Sequence, residues 1–226
     1  MAKAWAKFPN QWVFDGKGLS NLAWRDHRTT ALAAIMVMIA LAVRLNLSHR
    51  TREQNRLVLD APKLKVRATL DDLQDLTGFA RATVVKALDL LKGFNAIRVS
   101  KEGRSNVYEL VDIDKDGKYC QIPQEHLLNG STRTLNRLAK MPRTRISLLA
   151  MKVYMVLLVR RNQRVNTTSI SYSKLSGLAG VRREELFQAL SHLTALDLIG
   201  LSDDVDARQD IDKSNRYKIV GLSHAA

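Results

Sequence analysis

Arg81, Ala82, Thr83 and Lys86 open a segment whose apolar residues, Val84, Ala87, Leu88 and Leu91, recur at helical spacing. On such a helix the first-turn residues stand clear of the buried stripe. Arg81 and Lys86 carry cations that match guanine, and Thr83 suits a phosphate or a thymine methyl group. Lys101 and Arg104 lie in the polar stretch Lys101-Glu102-Gly103-Arg104-Ser105-Asn106 and suit phosphate or minor-groove contact. Later in the chain Arg182-Arg183-Glu184-Glu185 is followed by Gln188 and His192. The two arginines favour DNA, a glutamate can accept from cytosine, and Gln188 joins them as a candidate contact.

Other chemistry is not indicated. There is no Walker-type phosphate loop, no dinucleotide glycine fingerprint and no His-Glu-x-x-His. Asp71-Asp72 and Asp203-Asp204 are adjacent in sequence, and neighbours on a helix do not face each other. Asp71 and Asp72 read instead as first-turn acids complementing a helix dipole. The histidines at 27, 49, 126, 192 and 224 lack ligand spacing. Asp114-Lys115-Asp116-Gly117 lacks the glutamate that a calcium loop would need. Neither catalysis, metal nor cofactor is expected.

The elements that must hold these residues follow from Ala68–Ser100. Thr69 is placed to cap a helix over Leu70–Leu76. Gly78 permits the turn, the second helix follows, and Gly93 is expected to end it. Ile97 and Val99 alternate with polar residues, and Val107, Tyr108, Leu110 and Val111 make a second strand. Helix, turn, helix and hairpin is the order of a winged-helix domain. Ile170–Ser202 repeats the pattern without gaps: Leu73 matches Leu175, Leu76 matches Leu178, Gly78 matches Gly180, Ala87-Leu88 matches Ala189-Leu190, Leu91 matches Leu193 and Ile97 matches Ile199.

The repeat extends upstream. Phe8-Pro9 resembles Ile122-Pro123, each beginning an extended piece and a short helix. Arg28–Asn46 and Arg143–Asn162 are long apolar helices. The apolar run Ala31–Val43 is too short to span a bilayer, and as a signal peptide it would need an improbably long, mixed-charge leader, so no membrane partner is expected. Its counterpart Ile146–Val159 carries Lys152 at its middle. Leu57-Val58-Leu59 and Leu64-Lys65-Val66 read as short strands around Pro62, in a basic link from Leu47 to Arg67 that either lines a DNA backbone or is a solvated loop.

The expected architecture is therefore mainly α with small β-hairpin wings (α+β): two tandem winged-helix domains related by internal duplication. The divisions are a basic lead at 1–7, expected to be loosely ordered, a first domain at 8–113, a linker at 114–121, a second domain at 122–222 and a tail at 223–226. The 226 residues carry 36 Lys+Arg against 22 Asp+Glu, a net +14 that favours a polyanionic partner, most simply double-stranded DNA. The segment Arg133–Arg145, with Arg137, Lys140 and Arg143, offers a further basic surface. The single Cys120 excludes an internal disulfide and suits a reducing cytoplasm.

The second wing differs from the first. Asp203, Asp204, Asp206, Asp210 and Asp212 would be repelled by phosphates, so this wing is expected off the duplex, against another protomer or a protein partner.

A basic chain of two fused winged-helix units resembles the initiators of plasmid replication. The resemblance covers the architecture of residues 8–222, on motif order and duplication. It implies binding to repeated origin sequences, with homodimers that repress their own gene. The stretch Arg81-Ala82-Thr83-Val84-Val85-Lys86-Ala87-Leu88 is equally similar to winged-helix transcription regulators of plasmids or phages. A non-enzymatic adaptor whose winged helices bind protein is the third reading.

Overall fold

The computed structural model describes residues 5–14, 18–54, 65–103, 105–111, 119–130, 133–201 and 215–222. The chain is a mixed α/β protein with small antiparallel sheets. Its first long apolar run becomes α3 (Thr29–Gln54), in which every residue from Ala31 to Val43 is fully buried. A helix that is apolar all round has to be enclosed on every side. The stretch Thr29–Leu47 is in fact long and apolar enough to cross a membrane, longer than the sequence run suggested, but 78% of its apolar window lies inside the protein. It packs against α8 (Arg145–Arg160), which buries Ser147 through Leu158. Thr144 starts α8 by accepting the Ser147 N–H.

Two sheets flank this pair of helices. The first is built from β2 (Lys65–Ala68), β3 (Ile97–Glu102) and β4 (Ser105–Leu110) in the order β2-β4-β3, with α4 (Leu70–Thr77) and α5 (Arg81–Gly93) between β2 and β3. The second is built from β6 (Thr167–Ile170), β7 (Ile199–Leu201) and β8 (Asn215–Ile219) in the order β6-β8-β7, with α9 (Tyr172–Ala179) and α10 (Arg183–Ala195) in the same place.

The local chemistry explains these boundaries. Thr69 caps α4 with a full capping box: its hydroxyl accepts the Asp72 N–H, and the Asp72 carboxylate accepts the Thr69 N–H. Ser171 caps α9 in the same way with its hydroxyl. Gly78 and Gly180 take the left-handed conformation, φ 68° and 59°, that closes each helix. α5 buries Val84, Ala87, Leu88 and Leu91, the stripe the spacing predicts, and α10 buries Leu186, Ala189, Leu190 and Leu193.

Gly93 ends α5 as expected, but the left-handed reversal comes two residues later. Gly93 is the last helical residue, and the chain reverses at Asn95, φ 52°, matched after α10 by Asp197, φ 55°. Asn and Asp tolerate this conformation because their short side chains bond locally. The wing turn is also shorter than expected. The ladder runs on to Glu102↔Ser105, leaving only Gly103 and Arg104 between the strands. Val99 is exposed, because β3 lies at the edge of its sheet and buries Ile97 alone.

The start of the chain's first half and the start of its second meet directly. β1 (Ala6–Pro9) pairs antiparallel with β5 (Tyr119–Ile122), in the register Ala6↔Ile122, Lys7↔Gln121, Phe8↔Cys120. The expected lead and linker are thus partly ordered: Lys7 sits in a strand, Trp5 stacks on Tyr119 at 5.9 Å, and 119–121 are strand rather than connection. Short helices α1 (Gln11–Phe14) and α2 (Trp24–His27) precede α3; α6 (Gln124–Leu128) and α7 (Asn136–Ala139) precede α8.

These lead-in segments cross over. Ahead of α7, Leu135 donates its N–H to the Leu76 carbonyl on α4 at 2.9 Å. Arg143 donates to the carbonyls of Thr77 and Gly78 at 3.3 and 3.2 Å and lies over the Phe79 ring at 3.9 Å. In the other direction Ser20, in a 3-10 turn at Leu19–Asn21, lies against Gly180 and accepts from Lys152 at 3.5 Å. Each helix–turn–helix is therefore braced by the opening segment of the opposite half, around one continuous core.

The remaining expected features at 57–59, 62, 114–117 and 203–212, and the tail at 223–226, lie outside the described residues.

Candidate nucleic-acid interface

α5 turns Arg81, Ala82 and Lys86 outward, with Thr83 half-buried beside them. The position follows from the stripe: with Val84, Ala87, Leu88 and Leu91 held against the core, residues 82, 85, 86 and 89 must form the opposite face. Arg81 does not project freely. Asp71, in the first turn of α4, holds its guanidinium at 2.7 Å. Both groups are exposed, so the pair is weak and exchangeable. Lys86 has no carboxylate partner among the described residues.

Lys101 is exposed on β3 near the hairpin tip. Arg104 lies outside the described residues. The rest of this sheet is closer to neutral than its basic sequence suggests. Arg67 pairs with Glu102, Arg98 with Glu109 at 3.5 Å and Lys65 with Glu109 at 3.9 Å. Arg44 on α3 reaches Asp72 at 2.9 Å.

In the second half Arg182 is the N-cap of α10 and Arg183 its first residue, both exposed. Arg182 is bound to Glu185 at 3.1 Å, and Arg145 at the start of α8 closes on the same carboxylate. Hydrogen bonds from these two arginines hold the Glu185 carboxyl down at about 2. Of the arginine pair, Arg183 alone is left without an ion-pair partner among the described residues. Gln188 is exposed on the outward face. His192 points inward, its ring 3.2 Å from the Ser147 hydroxyl, and burial lowers its pKa.

The basic surface expected over Arg133–Arg145 is largely consumed. Arg143 is engaged by backbone carbonyls and the Phe79 ring, and Arg137 by Asp197 at 3.0 Å and the His126 carbonyl. Among its named cations Lys140 remains exposed.

Sequence reasoning passed over Phe187. It stands 74% exposed on the outward face of α10, where α5 carries Val85, 39% exposed. The available signal was an aromatic residue one position after the buried Leu186, off the core stripe.

Among the described residues no group of three His, Cys, Asp or Glu side chains is placed to hold a metal ion. Cys120 is buried, and burial pushes its thiol up to about 12. Comparisons of the chain with protein-family models, curated proteins and solved structures gave no significant match.

Proposed function

We propose that the chain binds double-stranded DNA sequence-specifically through two winged-helix units related by duplication, and that it initiates replication of a plasmid or other mobile element at repeated origin sites. The observation that carries this reading is the recurrence, in both halves, of strand, capped helix, glycine turn, second helix and hairpin. The recurrence extends to the Thr69 and Ser171 caps, the Gly78 and Gly180 turns and the Asn95 and Asp197 reversals. In each unit the second helix keeps its apolar stripe inside and leaves an exposed face that starts with an arginine, Arg81 or Arg183. Such a helix suits the major groove, with first-turn residues at the base edges. The net charge of +14 supplies the attraction to phosphate.

The strand pairing adds a symmetry argument. With Ala6 equivalent to Cys120 and Phe8 to Ile122, the pair Ala6↔Ile122 maps onto Phe8↔Cys120. The junction thus pairs these positions reciprocally, as a two-fold arrangement of the halves would. Two reading helices so related would meet half-sites in opposite orientation.

The test is selection of duplexes from a random pool by the full chain. The reading expects one enriched site with two inverted, unequal halves, recurring beside the gene in an origin that needs the protein. No enrichment over random duplex would overturn DNA reading. An enriched site found only at a promoter, with replication independent of the chain, would make it a transcription regulator.

A further inference from the structure

The outward stripe of α10 consists of Glu184, Phe187, Gln188 and Ser191, all exposed. The same positions on α5 are Ala82, Val85, Lys86 and Asp89, also exposed. The two reading faces therefore differ in kind. α5 carries a cation at its centre, whereas α10 carries an aromatic ring beside a carboxamide. A phenylalanine ring 74% in water is unfavourable, and nothing in the fold of α10 requires it there, because Leu186, Ala189, Leu190 and Leu193 already anchor the helix.

The neighbours of Phe187 suggest what covers it. Glu184, Gln188 and Ser191 are polar, so the ring is isolated on its stripe and is not part of a contiguous apolar patch on this helix. Leu201, 73% exposed, belongs to β7 and not to this helix. Phe187 and Gln188 instead each match a group in the major groove. A carboxamide donates to N7 and accepts from the N6 amine of adenine, and an apolar ring packs on the 5-methyl group of thymine. Arg183, one turn earlier and unpaired among the described residues, supplies a cation at the helix start.

We infer that α10 reads an A·T subsite, with Phe187 against a thymine 5-methyl group and Gln188 on adenine N6 and N7. This rests on the duplex-binding reading above. It makes the two halves of the site chemically unequal, one read by cations and the other by shape and hydrogen bonds at A·T pairs.

The test uses the full chain and a duplex selected by it from a random pool. Each thymine is replaced in turn by deoxyuridine, which removes only the methyl group, and each adenine by 7-deazaadenine, which removes only N7. One thymine in the second half-site should be methyl-sensitive, with affinity falling about four-fold, the value of one buried methyl group. Phe187→Ala should lose the same affinity on the thymine duplex and become indifferent to deoxyuridine, and Phe187→Leu should keep part of the preference. Gln188→Ala should become indifferent to 7-deazaadenine at one position. Selected binding with no methyl-sensitive thymine, or Phe187→Ala retaining that sensitivity, overturns the inference and leaves DNA binding intact. Failure to select any duplex overturns the DNA reading itself. A monomer–dimer shift in sedimentation of Phe187→Ala without DNA, with unchanged duplex affinity, would assign the ring to contact between copies and equally overturn the inference.

Discussion

Single side chains decide how much of the formal +14 is available at the surface. Arg81, Arg182, Arg145 and Arg67 each face a carboxylate, and Arg143 is turned into the fold. Glu185 is the clearest control point because it neutralises two arginines at once. Its carboxyl is held at about 2, below the usual 4.5, so its contribution to stability is complete above pH 4.5 and is lost as pH falls toward 2. Glu185→Gln should free Arg182 and Arg145, steepen the salt dependence of duplex binding by about 1 and cost about 1 kcal/mol of stability at neutral pH. Equilibrium unfolding and a salt titration of the variant check both signs. Lys152 works in the opposite sense. Burial pushes its ammonium down to about 8 from 10.5, and its Nζ meets one carbonyl, that of Ser20. Below pH 8 the folded state carries the full desolvation cost. Between pH 8 and 10.5 the unfolded chain binds the extra proton, so stability rises with pH. Lys152→Met should therefore stabilise the protein by roughly 1–3 kcal/mol at pH 7. Denaturant titrations at pH 7 and pH 10 should show the gain shrinking; an equal gain at both would assign it to packing alone.

Elements carry the parts of the fold most legible in sequence. The Thr69 cap, the Gly78 turn and the buried stripe of α5 were all readable, because each is a local rule with a residue type attached. The Asn95 reversal was not anticipated. Gly93 was the expected helix stop, and where the chain then reverses depends on how β3 must enter its sheet. The pairing of β1 with β5 was invisible, since strands far apart in sequence leave no local trace of each other. The Arg81–Asp71 pair was equally hidden, being set by the turn between helices, whereas Arg182 and Glu185 stand at i,i+3, a spacing the sequence does show. The two turn glycines offer a test of the crossed bracing. Both have positive φ, but a Cβ at Gly78 would sit 3.2 Å from the Arg143 guanidinium and 3.3 Å from Ala139, tighter than the 3.4 Å from Lys152 at Gly180. Gly78→Ala should cost about 1–2 kcal/mol, and more than Gly180→Ala. Thermal unfolding of the two variants compares them directly; equal losses would mean that backbone strain alone is felt and that the Arg143 brace is slack.

At the scale of the molecule, α3 and α8 form a shared apolar centre from which two similar units face outward. Neither helix–turn–helix is closed by its own half alone, so the units should unfold together, and a fragment ending near residue 113 would expose the Gly78 turn and the apolar face of α3. The proposed duplex binding suits this frame, because α5 and α10 held on one core would fix the distance between two half-sites. Its most direct test is the salt dependence of duplex affinity. With five to eight phosphates neutralised, log K against log salt should fall with a slope of about −5 to −7, and Arg81→Ala and Lys86→Ala should each remove about 1–3 kcal/mol of sequence preference. A flat salt response, with random and selected duplexes bound alike, would contradict the account.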